Sequence, residues 1–426
     1  MRDHHRRIAR VALAADSRLA EIAPRRAAHF VAADVRKFDY DELAPTHAAL
    51  EPKRQECGMF NWLMIFVPIS IAMEHFYPHQ HLFVFLTASF AILPLAGWMS
   101  RATEHLAERI GEGIGGLLNA TFGNAAELII AFAALRAGLH DVVKASIAGS
   151  IIGNILLVLG AAMFAGGLGH SEQTYNAAGT RSQATLLTLS AIALVLPAAY
   201  SAAVGRGITQ GMPGLSAGLA HNVVLLSVSI AVVLLAVYGL FLVFSLITHK
   251  ALFVGSVAHV AAGDTPPPWS VQKSLLILAA ATAAIAWVSE ILVGAIEPTA
   301  HEFGLSRVFV GVFVVAILGN AAEHASAITA AMKNRMDLSL AIAIGSSVQV
   351  ALFVAPVLVL ASLWVGPGPM DLVFPSGLVA TVLLSVLITG QVAGDGRSDW
   401  LRGVLLLAVY LIFGLAFFFV PGVPGH

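Results

Sequence analysis

Cysteine and charge are both scarce in this chain. Its 426 residues include a single cysteine, Cys57, which excludes an intrachain disulfide. Charged residues make up 12% of the chain and the formal net charge is −1, so the overall charge gives no reason to expect a nucleic-acid partner. Apolar residues are abundant instead, at 58%, and the mean hydropathy is +0.82. A soluble fold cannot bury that much apolar surface, so the lipid bilayer must be the solvent for most of the chain.

Eleven apolar segments are separated by polar stretches. Most are long enough to cross a hydrocarbon core of about 30 Å as helices that rise about 1.5 Å per residue. Barrel strands would be much shorter and would alternate in polarity. The sequence therefore predicts an all-α membrane protein with eleven transmembrane helices. They cover residues 59–76, 81–99, 111–138, 141–168, 182–203, 215–248, 271–296, 306–332, 337–366, 373–393 and 399–420.

The distribution of Lys and Arg predicts the orientation in the membrane. With a cytoplasmic N-terminus, twenty basic residues lie inside and four lie outside. Basic residues favour the cytoplasmic side of membrane proteins, so this orientation is preferred. Eleven spans then place the C-terminus, at His426, on the outside. The bias toward Ala, Arg and Gly favours the inner (plasma) membrane of a bacterium.

The first 57 residues form a polar tail unlike the rest of the chain. The tail carries eleven basic and nine acidic residues. A transit peptide is poor in acids, and a signal peptide has an apolar core directly after its basic start, so neither fits. A solvated, partly disordered tail is the preferred interpretation. A short amphipathic helix on the membrane surface is the alternative.

One pentapeptide, Gly-Asn-Ala-Ala-Glu, occurs twice, at residues 123–127 and 319–323. A Gly-Ser pair follows each copy at the same distance, at residues 149–150 and 345–346. One match is conceivable by chance, but a second match at the same offset indicates duplication. An ionised carboxylate inside a membrane is costly and usually functional. The two glutamates are therefore predicted to serve one cation-binding site built from two related halves.

The duplication divides the membrane region into two repeats. With the first span set aside, ten spans divide into five and five, and an odd number per repeat forces opposite orientations. Inverted repeats bring duplicated motifs to the same depth, near the membrane midplane. The sequence thus predicts a cytoplasmic tail, an extra first transmembrane helix, a first five-helix repeat, a cytoplasmic linker and a second five-helix repeat with a short C-terminus. Their bounds are 1–57, 58–80, 81–249, 250–270 and 271–426.

Polar residues around the two glutamates predict a ring of oxygen ligands. Side chains three or four positions apart share a helical face, which groups each glutamate with the glycine and asparagine of its own motif. The same spacing groups hydroxyl and amide side chains on the two following helices. Hydrogen bonding between helices is the alternative role for these polar residues. The predicted lining residues are Gly123, Asn124, Ser150, Asn154, Gly319, Asn320, Ser346 and Gln349.

A site with only oxygen ligands suits a hard cation. Calcium takes six to eight oxygens, and Glu127 and Glu323 would neutralise its double charge. Two close carboxylates cannot both stay ionised in a low-dielectric site after the cation leaves, so protons compete for it. The sequence therefore predicts export of Ca²⁺ in exchange for protons by alternating access. Exchange of sodium or potassium for protons at the same site is the alternative.

Three further residues are candidates for a proton path or an access path to the site. His324 directly follows Glu323 and is a candidate proton shuttle, with a packed histidine as the alternative. Glu104 and Glu290 lie near segment ends and are candidates for a cytoplasmic funnel. Simple solvation at the membrane interface explains Glu104 equally well.

Longer stretches around these motifs resemble the calcium/cation antiporter superfamily, and within it the branch of cation/proton exchangers. The resemblance spans both repeats, from about residue 81 onward. It implies eleven helices, calcium/proton antiport, and Glu127 and Glu323 as carriers of the cation and the proton, with backbone carbonyls of Gly123 and Gly319 as further metal ligands. The resembling stretches are residues 102–131, 144–160, 289–297, 319–328 and 336–359.

Two other functional classes fit the sequence less well. The pair of Glu323 and His324 resembles half of a metalloprotease signature, but Asn320 stands where that signature needs its second histidine. A passive channel does not need duplicated, inverted halves. The sequence therefore predicts a transporter without enzymatic activity and without a cofactor, whose partners are the bilayer and the transported ions. It leaves the oligomeric state open.

Overall fold

The structure, a computed structural model, describes residues 61–110, 112–209, 219–249 and 269–419. These residues belong to one compact unit, Cys57–His426. The predicted tail, residues 1–57, and nearly all of the predicted linker, residues 250–270, lie outside the described residues. The described chain is almost entirely helical, with two strands of two residues each.

The helices of the described ranges are numbered here in chain order. They are α1 (Asn61–Phe76), α2 (His81–Ile110), α3 (Glu112–Phe122), α4 (Ala125–Arg136), α5 (His140–Gly169), α6 (Ala177–Thr209), α7 (Leu219–Val243), α8 (Val271–Glu302), α9 (Arg307–Met332), α10 (Met336–Ala361), α11 (Ser376–Val392) and α12 (Trp400–Phe418). In this part of the chain eight helices are long and apolar enough to cross a membrane, and α1 and α11 are shorter apolar helices.

The predicted segment 111–138 is not one helix but two. Helix α3 ends at Phe122 and α4 begins at Ala125, with Gly123 and Asn124 between them. Asn124 has φ −99° and ψ 22°, outside the helical region. The pieces have 11 and 12 residues, so each covers only about half of a hydrocarbon core at about 1.5 Å per residue. Broken helices of this kind are tolerated at membrane depth where they line a site inside the protein.

The second copy of the pentapeptide behaves differently. Residues 319–323 lie inside a continuous helical stretch, Ala316–Met332, and Gly319 and Asn320 keep helical backbone there. The two copies have identical sequences, so the break in the first copy comes from its surroundings rather than from its own residues. The two pentapeptides are therefore identical in sequence but differ in backbone conformation.

Widened helical turns of π type interrupt three helices near the motifs. One covers Gly153–Val158 in α5 and begins three residues after Ser150. A second, Val350–Val354 in α10, begins four residues after Ser346. A third, Val310–Val315, precedes the second pentapeptide in α9. Such turns are rare and are frequently found at functional sites, because the extra residue changes which side chains face inward.

Helices α5 and α10 form the centre of the molecule. In their most apolar 18-residue windows they are 83% and 72% buried, against 17% for α12. Gly149 of α5 lies directly against α9: a Cβ atom there would stand 2.4 Å from the carbonyl oxygen of Val312. Glycine allows this close approach because it has no side chain, and small residues are typical of helix contacts in membranes.

Side-chain caps begin three helices of the second half. Ser270 accepts a hydrogen bond from the backbone N–H of Lys273 at the start of α8. Ser306 accepts one from Phe309 at the start of α9, at 3.1 Å. Asp399 accepts one from Arg402 at the start of α12, at 3.0 Å. Each cap satisfies a backbone donor that has no partner within its own helix.

A two-stranded antiparallel sheet joins the two halves at one end of the helices. Strand β1 (Gln173–Thr174) follows α5, and β2 (Arg397–Ser398) precedes α12. The amide of Gln173 also donates to the carbonyl oxygen of Ala331, at the end of α9, at 2.8 Å and to Asn334 Oδ1, in the turn between α9 and α10, at 3.0 Å. The two strands and these contacts of Gln173 connect the first half of the chain to the second.

A buried ion pair joins the halves at another place. Lys144, in the second turn of α5, is only 8% exposed, and its Nζ lies 2.5 Å from Asp371 Oδ1 and 3.0 Å from the carbonyl oxygen of Val373. Asp371 belongs to the connection between α10 and α11.

Candidate functional site

The two pentapeptide glutamates meet at the centre of the structure. Glu127 lies in the first turn of α4 and is buried, and Glu323 lies on α9 and is partly buried. Their carboxylates are close enough to repel each other. Neither oxygen of Glu127, nor Oε2 of Glu323, has a hydrogen-bond partner among the described residues. Buried carboxylate oxygens are normally paired, so this arrangement is suited to a bound cation or to protons.

Each glutamate packs against the glycine of the other motif. A Cβ atom on Gly319 would stand 2.9 Å from Cγ of Glu127, and one on Gly123 would stand 3.7 Å from Oε1 of Glu323. Only the first contact requires glycine: a side chain on Gly319 would overlap Glu127, whereas a Cβ atom on Gly123 would stand at ordinary contact distance from Glu323. The arrangement is the one that two related halves with a common site would give.

Four side-chain hydrogen bonds form a continuous chain through the site. His324 Nε2 lies 3.1 Å from Asn154 Oδ1, and because that oxygen can only accept, the histidine is the donor. Asn154 Nδ2 donates to Ser346 Oγ at 3.2 Å, and Ser346 Oγ donates to Asn124 Oδ1 at 2.9 Å. Asn124 Nδ2 then donates to Gln349 Oε1. We call this series the polar chain; every one of its bonds crosses between the two halves.

A fifth crossing bond joins the positions equivalent to one link of the polar chain, with the donor and the acceptor exchanged. Asn320 Nδ2 donates to Ser150 Oγ at 3.1 Å, just as Asn124 and Ser346 are joined on the other side. In both cases the asparagine of one motif bonds to the serine that follows the other motif. All eight predicted lining residues are thus brought together with the glutamates. The six with polar side chains form hydrogen bonds among themselves, which is compatible with both the lining role and the alternative of bonds between helices.

The polar chain also contains an asymmetric pair. The positions that correspond to Asn154 and His324 in the other half, 196 residues away, are Val350 and Leu128. The Asn154–His324 bond therefore has no counterpart. The sequence analysis named both residues but had no signal that they touch, because the contact depends on how α5 and α9 pack.

Glu104 and Glu290 lie at different levels of the α2–α8 pair and do not form one funnel. His105 contacts Trp269 at the beginning of α8, and Met99 lies opposite Thr282. Glu290 is eight residues beyond Thr282, about 12 Å further along α8. The expectation of a shared cytoplasmic funnel is therefore wrong, because the two helices run antiparallel.

The surroundings of these two glutamates also differ. Glu104 is exposed, yet close enough to act electrostatically on Glu323. Glu290 pairs with Arg136 at 2.8 Å, and both side chains are more than half exposed. It lines a cavity of about 440 Å³ between the end of α4 and α8, together with Ala133, Arg136, Ala137, Leu139, Val293, Gly294, Glu297 and Pro298. A role of either residue in guiding a cation stays a prediction.

The donor set of the central site defines its chemistry. Two carboxylates supply two negative charges, and amide and hydroxyl oxygens stand around them. Oxygen donors of this kind suit hard cations such as Ca²⁺ or Na⁺ rather than metals that prefer thiolate or imidazole. A site of this charge can also be neutralised by protons when no cation is bound.

Comparison with known proteins identifies the family. The sequence profile of the sodium/calcium exchanger protein family matches residues 80–247 and 273–419. The chain belongs to this family. The members it resembles are transporters, so it is a membrane transporter of cations and not an enzyme. The resemblance to cation/proton exchangers that the motifs indicated is confirmed.

Relatives of known function match over nearly their whole length. The Ca(2+)/H(+) antiporter of Aphanothece halophytica is 46% identical over 377 residues, which are 86% of this chain and 98% of that protein. The Ca(2+)/H(+) antiporter ChaA of Bacillus subtilis (strain 168) is 40% identical over 355 residues, which are 83% of this chain and 96% of that protein.

Solved structures of this family share the architecture. The structure of native YfkE superimposes with a TM-score of 0.69 at 36% identity, covering 85% of this chain and 100% of that chain. The H+/Ca2+ exchanger CAX gives a TM-score of 0.60 at 16% identity, covering 86% of this chain and 92% of that chain, and supports the fold alone. The family fold is therefore established for the membrane region.

Proposed function

We propose that this protein exports Ca²⁺ in exchange for protons, by alternating access to a site formed by Glu127 and Glu323. The observation that carries the proposal is the meeting of the buried Glu127 and the partly buried Glu323, each in contact with the other motif's glycine. Relatives named Ca(2+)/H(+) antiporter, at 46% and 40% identity, support the choice of ions.

The competition between ions follows from charge. With Ca²⁺ bound, both carboxylates are ionised and the site is neutral overall. When Ca²⁺ leaves, two neighbouring carboxylates in a water-poor site cannot both remain charged, so they take up protons. A site that is loaded either with Ca²⁺ or with protons moves the two in opposite directions as its access alternates.

The proposed topology has eleven spans, with an extra first helix and two inverted five-helix repeats meeting near the membrane midplane. The crossing bonds support this layout, because Asn124 bonds to Ser346 and Asn320 to Ser150, as related halves would do. In this topology α3 and α4 together make one span. The N-terminus is cytoplasmic, the C-terminus is outside, and a bacterial inner membrane is the proposed location.

The metal ligands of the proposed site are the two glutamates with the carbonyl oxygens of Gly123 and Gly319. The remaining lining residues, including Ser150 and Gln349, supply further oxygens. The break between α3 and α4 supports this role for Gly123, since the carbonyls of a helix end are not all used within the helix. His324 is proposed to hold Asn154 in place rather than to carry protons, because its Nε2 is already occupied by that bond.

The decisive experiment measures exchange in vesicles. The purified protein is placed in liposomes with an imposed proton gradient, and Ca²⁺, Na⁺, K⁺ or Mg²⁺ is added in turn while the internal pH is recorded. We expect Ca²⁺ to collapse the gradient and Glu127→Gln and Glu323→Gln to abolish the response. Glu302→Gln, which removes an exposed carboxylate at the end of α8, is the matched control and should behave like the wild type.

Three results would contradict the proposal. A gradient collapsed by Na⁺ or K⁺ but not by Ca²⁺ would favour the alternative of monovalent cation/proton exchange at the same site. Undiminished Ca²⁺-driven proton movement in both glutamine variants would show that other residues form the transport site. Ca²⁺ flux that is independent of any proton gradient would indicate a channel instead.

A further inference from the structure

One hydroxyl group of the second half reaches the widened turn of α5. Thr389, in α11, is almost fully buried, and its Oγ1 donates a hydrogen bond to the carbonyl oxygen of Ile155 at 3.3 Å. Ile155 is fully buried and belongs to the π turn Gly153–Val158. The bond joins residues 234 positions apart, so it depends on the packing of α11 against α5.

The other hydroxyl groups on this face of α11 stay within their own helix. Thr381, Ser385 and Thr389 are four positions apart and therefore share a face. Thr381 Oγ1 donates to the carbonyl oxygens of Gly377 and Leu378 at 3.0 and 2.9 Å, and Ser385 Oγ donates to that of Thr381 at 2.6 Å. Such bonds are usual for Ser and Thr in helices. Thr389 differs from both, because its hydroxyl bonds to a neighbouring helix.

A π turn needs bonding partners that a regular helix does not. It replaces bonds between residues four apart with bonds between residues five apart, so the backbone groups at its ends lose their regular partners. At membrane depth, where water is scarce, Ser and Thr side chains of neighbouring helices satisfy such groups. The hydroxyl of Thr389 does this for the carbonyl oxygen of Ile155. It therefore favours the widened turn over a regular one.

The same turn determines the direction of Asn154, the residue before Ile155. Asn154 Nδ2 donates to Ser346 Oγ at 3.2 Å, and its Oδ1 lies 3.1 Å from His324 Nε2. A return to regular winding takes one residue out of the turn, which changes the facing of the helix by about 100°. Residues of the turn would then no longer keep their present directions. The two bonds of Asn154 therefore depend on the π turn.

The support by Thr389 has no counterpart in the other half. The positions that correspond to Thr389 and Ile155, 196 residues away, are Ala193 and Ala351. Alanine has no hydroxyl, so Ala193 cannot make this bond to the second π turn, Val350–Val354. That turn consists of apolar residues only. The hydroxyl thus stands beside the turn that carries an amide side chain and is missing beside the turn that carries none.

We propose that Thr389 is a positioning residue for cation binding. Its bond to the carbonyl oxygen of Ile155 holds the π turn in the form that directs Asn154 into the polar chain. Its hydroxyl is used by that carbonyl, so Thr389 acts on the cation through Asn154 and not by contact. The effect on cation binding rests on the proposed function, whereas the effect on the turn does not.

Equilibrium binding of radioactive Ca²⁺ to the purified full chain tests the proposal. Thr389→Val removes the hydroxyl and keeps the branched shape. The net contribution of one hydrogen bond corresponds to roughly two- to tenfold in an equilibrium constant, so the Kd for Ca²⁺ should rise by that factor while the maximal exchange rate is kept. Thr389→Ser restores the hydroxyl and should bind as the wild type does. Thr381→Val is the matched control, because that buried hydroxyl bonds only within α11.

A double variant separates action through Asn154 from a general loss of stability. In the background of Asn154→Ala, Thr389→Val should change the Kd little further, because the side chain that the turn directs is gone. An equal additional loss in both backgrounds would show that Thr389 acts by another route and would overturn the proposal. A weakened affinity in Thr389→Ser or in Thr381→Val equal to that in Thr389→Val would do the same.

Amide hydrogen exchange of residues 153–159, followed by mass spectrometry without any cation, measures the turn directly. Exchange there should be roughly two- to tenfold faster in Thr389→Val than in Thr381→Val, since opening of the turn becomes easier. Thr389→Ala removes the same hydroxyl and should show the same increase. Equal exchange in the valine variants would overturn the proposal. A wild type that binds no Ca²⁺ would contradict the proposed function, but it would leave this measurement of the turn intact.

Discussion

Gly319 leaves the space that the side chain of Glu127 occupies. A Cβ atom added to Gly319 would lie 2.9 Å from Cγ of Glu127 and 3.6 Å from its carboxylate carbon. The two residues come from different copies of the pentapeptide. The site therefore depends on a contact between the halves that no single copy of the motif can make.

Gly319→Ala should reduce Ca²⁺ transport strongly while the protein still folds. The added methyl would push the Glu127 side chain out of position, and displacements of about 1 Å at a reacting or binding group can cost about 10²-fold in rate. The measurement is the initial rate of Ca²⁺ uptake into proton-loaded vesicles. Gly294→Ala, in α8, is the control, because nothing lies within 4 Å of its Cβ position. Equal rates for the two variants would contradict the prediction.

Ser346 joins two links of the polar chain, so its removal should weaken Ca²⁺ binding. Its hydroxyl accepts from Asn154, donates to Asn124 and lies within reach of Glu323. Ser346→Ala leaves buried amide groups unpaired, at a cost of roughly 1–3 kcal/mol, and the apparent Ca²⁺ affinity should fall about tenfold. The apparent Ca²⁺ affinity is measured from the rate of proton release at a series of Ca²⁺ concentrations.

The neighbouring serine provides a matched control for Ser346. Ser347 is equally buried, but its hydroxyl lies near backbone carbonyl oxygens only, those of Ala343 and Ile151. Ser347→Ala should therefore leave the Ca²⁺ affinity close to that of the wild type. A similar loss in both variants would mean that the effect comes from packing and not from the polar chain.

The residues that meet at the candidate site were predictable from the sequence because duplication and helical spacing can be read directly from it. The identical pentapeptides pointed directly to Glu127 and Glu323, and the Gly-Ser pairs pointed to Ser150 and Ser346. The backbone was not predictable in the same way. The same five residues form a break in one copy and a continuous helix in the other, so the surrounding helices decide between the two conformations.

Contacts between distant segments could also not be predicted from the sequence. The bond between His324 and Asn154 joins residues 170 positions apart and has no counterpart in the other half. The π turns carry no signal in composition, since Val350–Val354 is an ordinary apolar stretch. The two strands are only two residues long, and pairing of Gln173 with Ser398 is set by the helices that bring them together.

Gly149→Ala should destabilise the contact of α5 with α9. A methyl group there would stand 2.4 Å from the carbonyl oxygen and 2.5 Å from the Cα of Val312, so the helices would have to separate. Overpacking of this kind costs about 1–3 kcal/mol. We expect a lower thermal unfolding temperature in detergent. Gly153→Ala is the control, because a Cβ atom at this position has no atom within 4 Å. If the unfolding temperature of Gly153→Ala were as low as that of Gly149→Ala, a steric cause would be excluded.

Lys144→Met should destabilise the protein more than the loss of an exposed ion pair. Lys144 is buried but Asp371 is 32% exposed, so removal of the lysine would leave a partly solvated carboxylate without its cation, at a cost of about 1–3 kcal/mol. Glu172→Gln breaks the exposed pair with Arg397, at 3.5 Å, and should cost less than about 1 kcal/mol. Thermal unfolding measures both. In the double variant Lys144→Met, Asp371→Asn the loss should be smaller than the sum of the single losses, because neither charge remains unpaired; strictly additive losses would show that the two side chains do not interact.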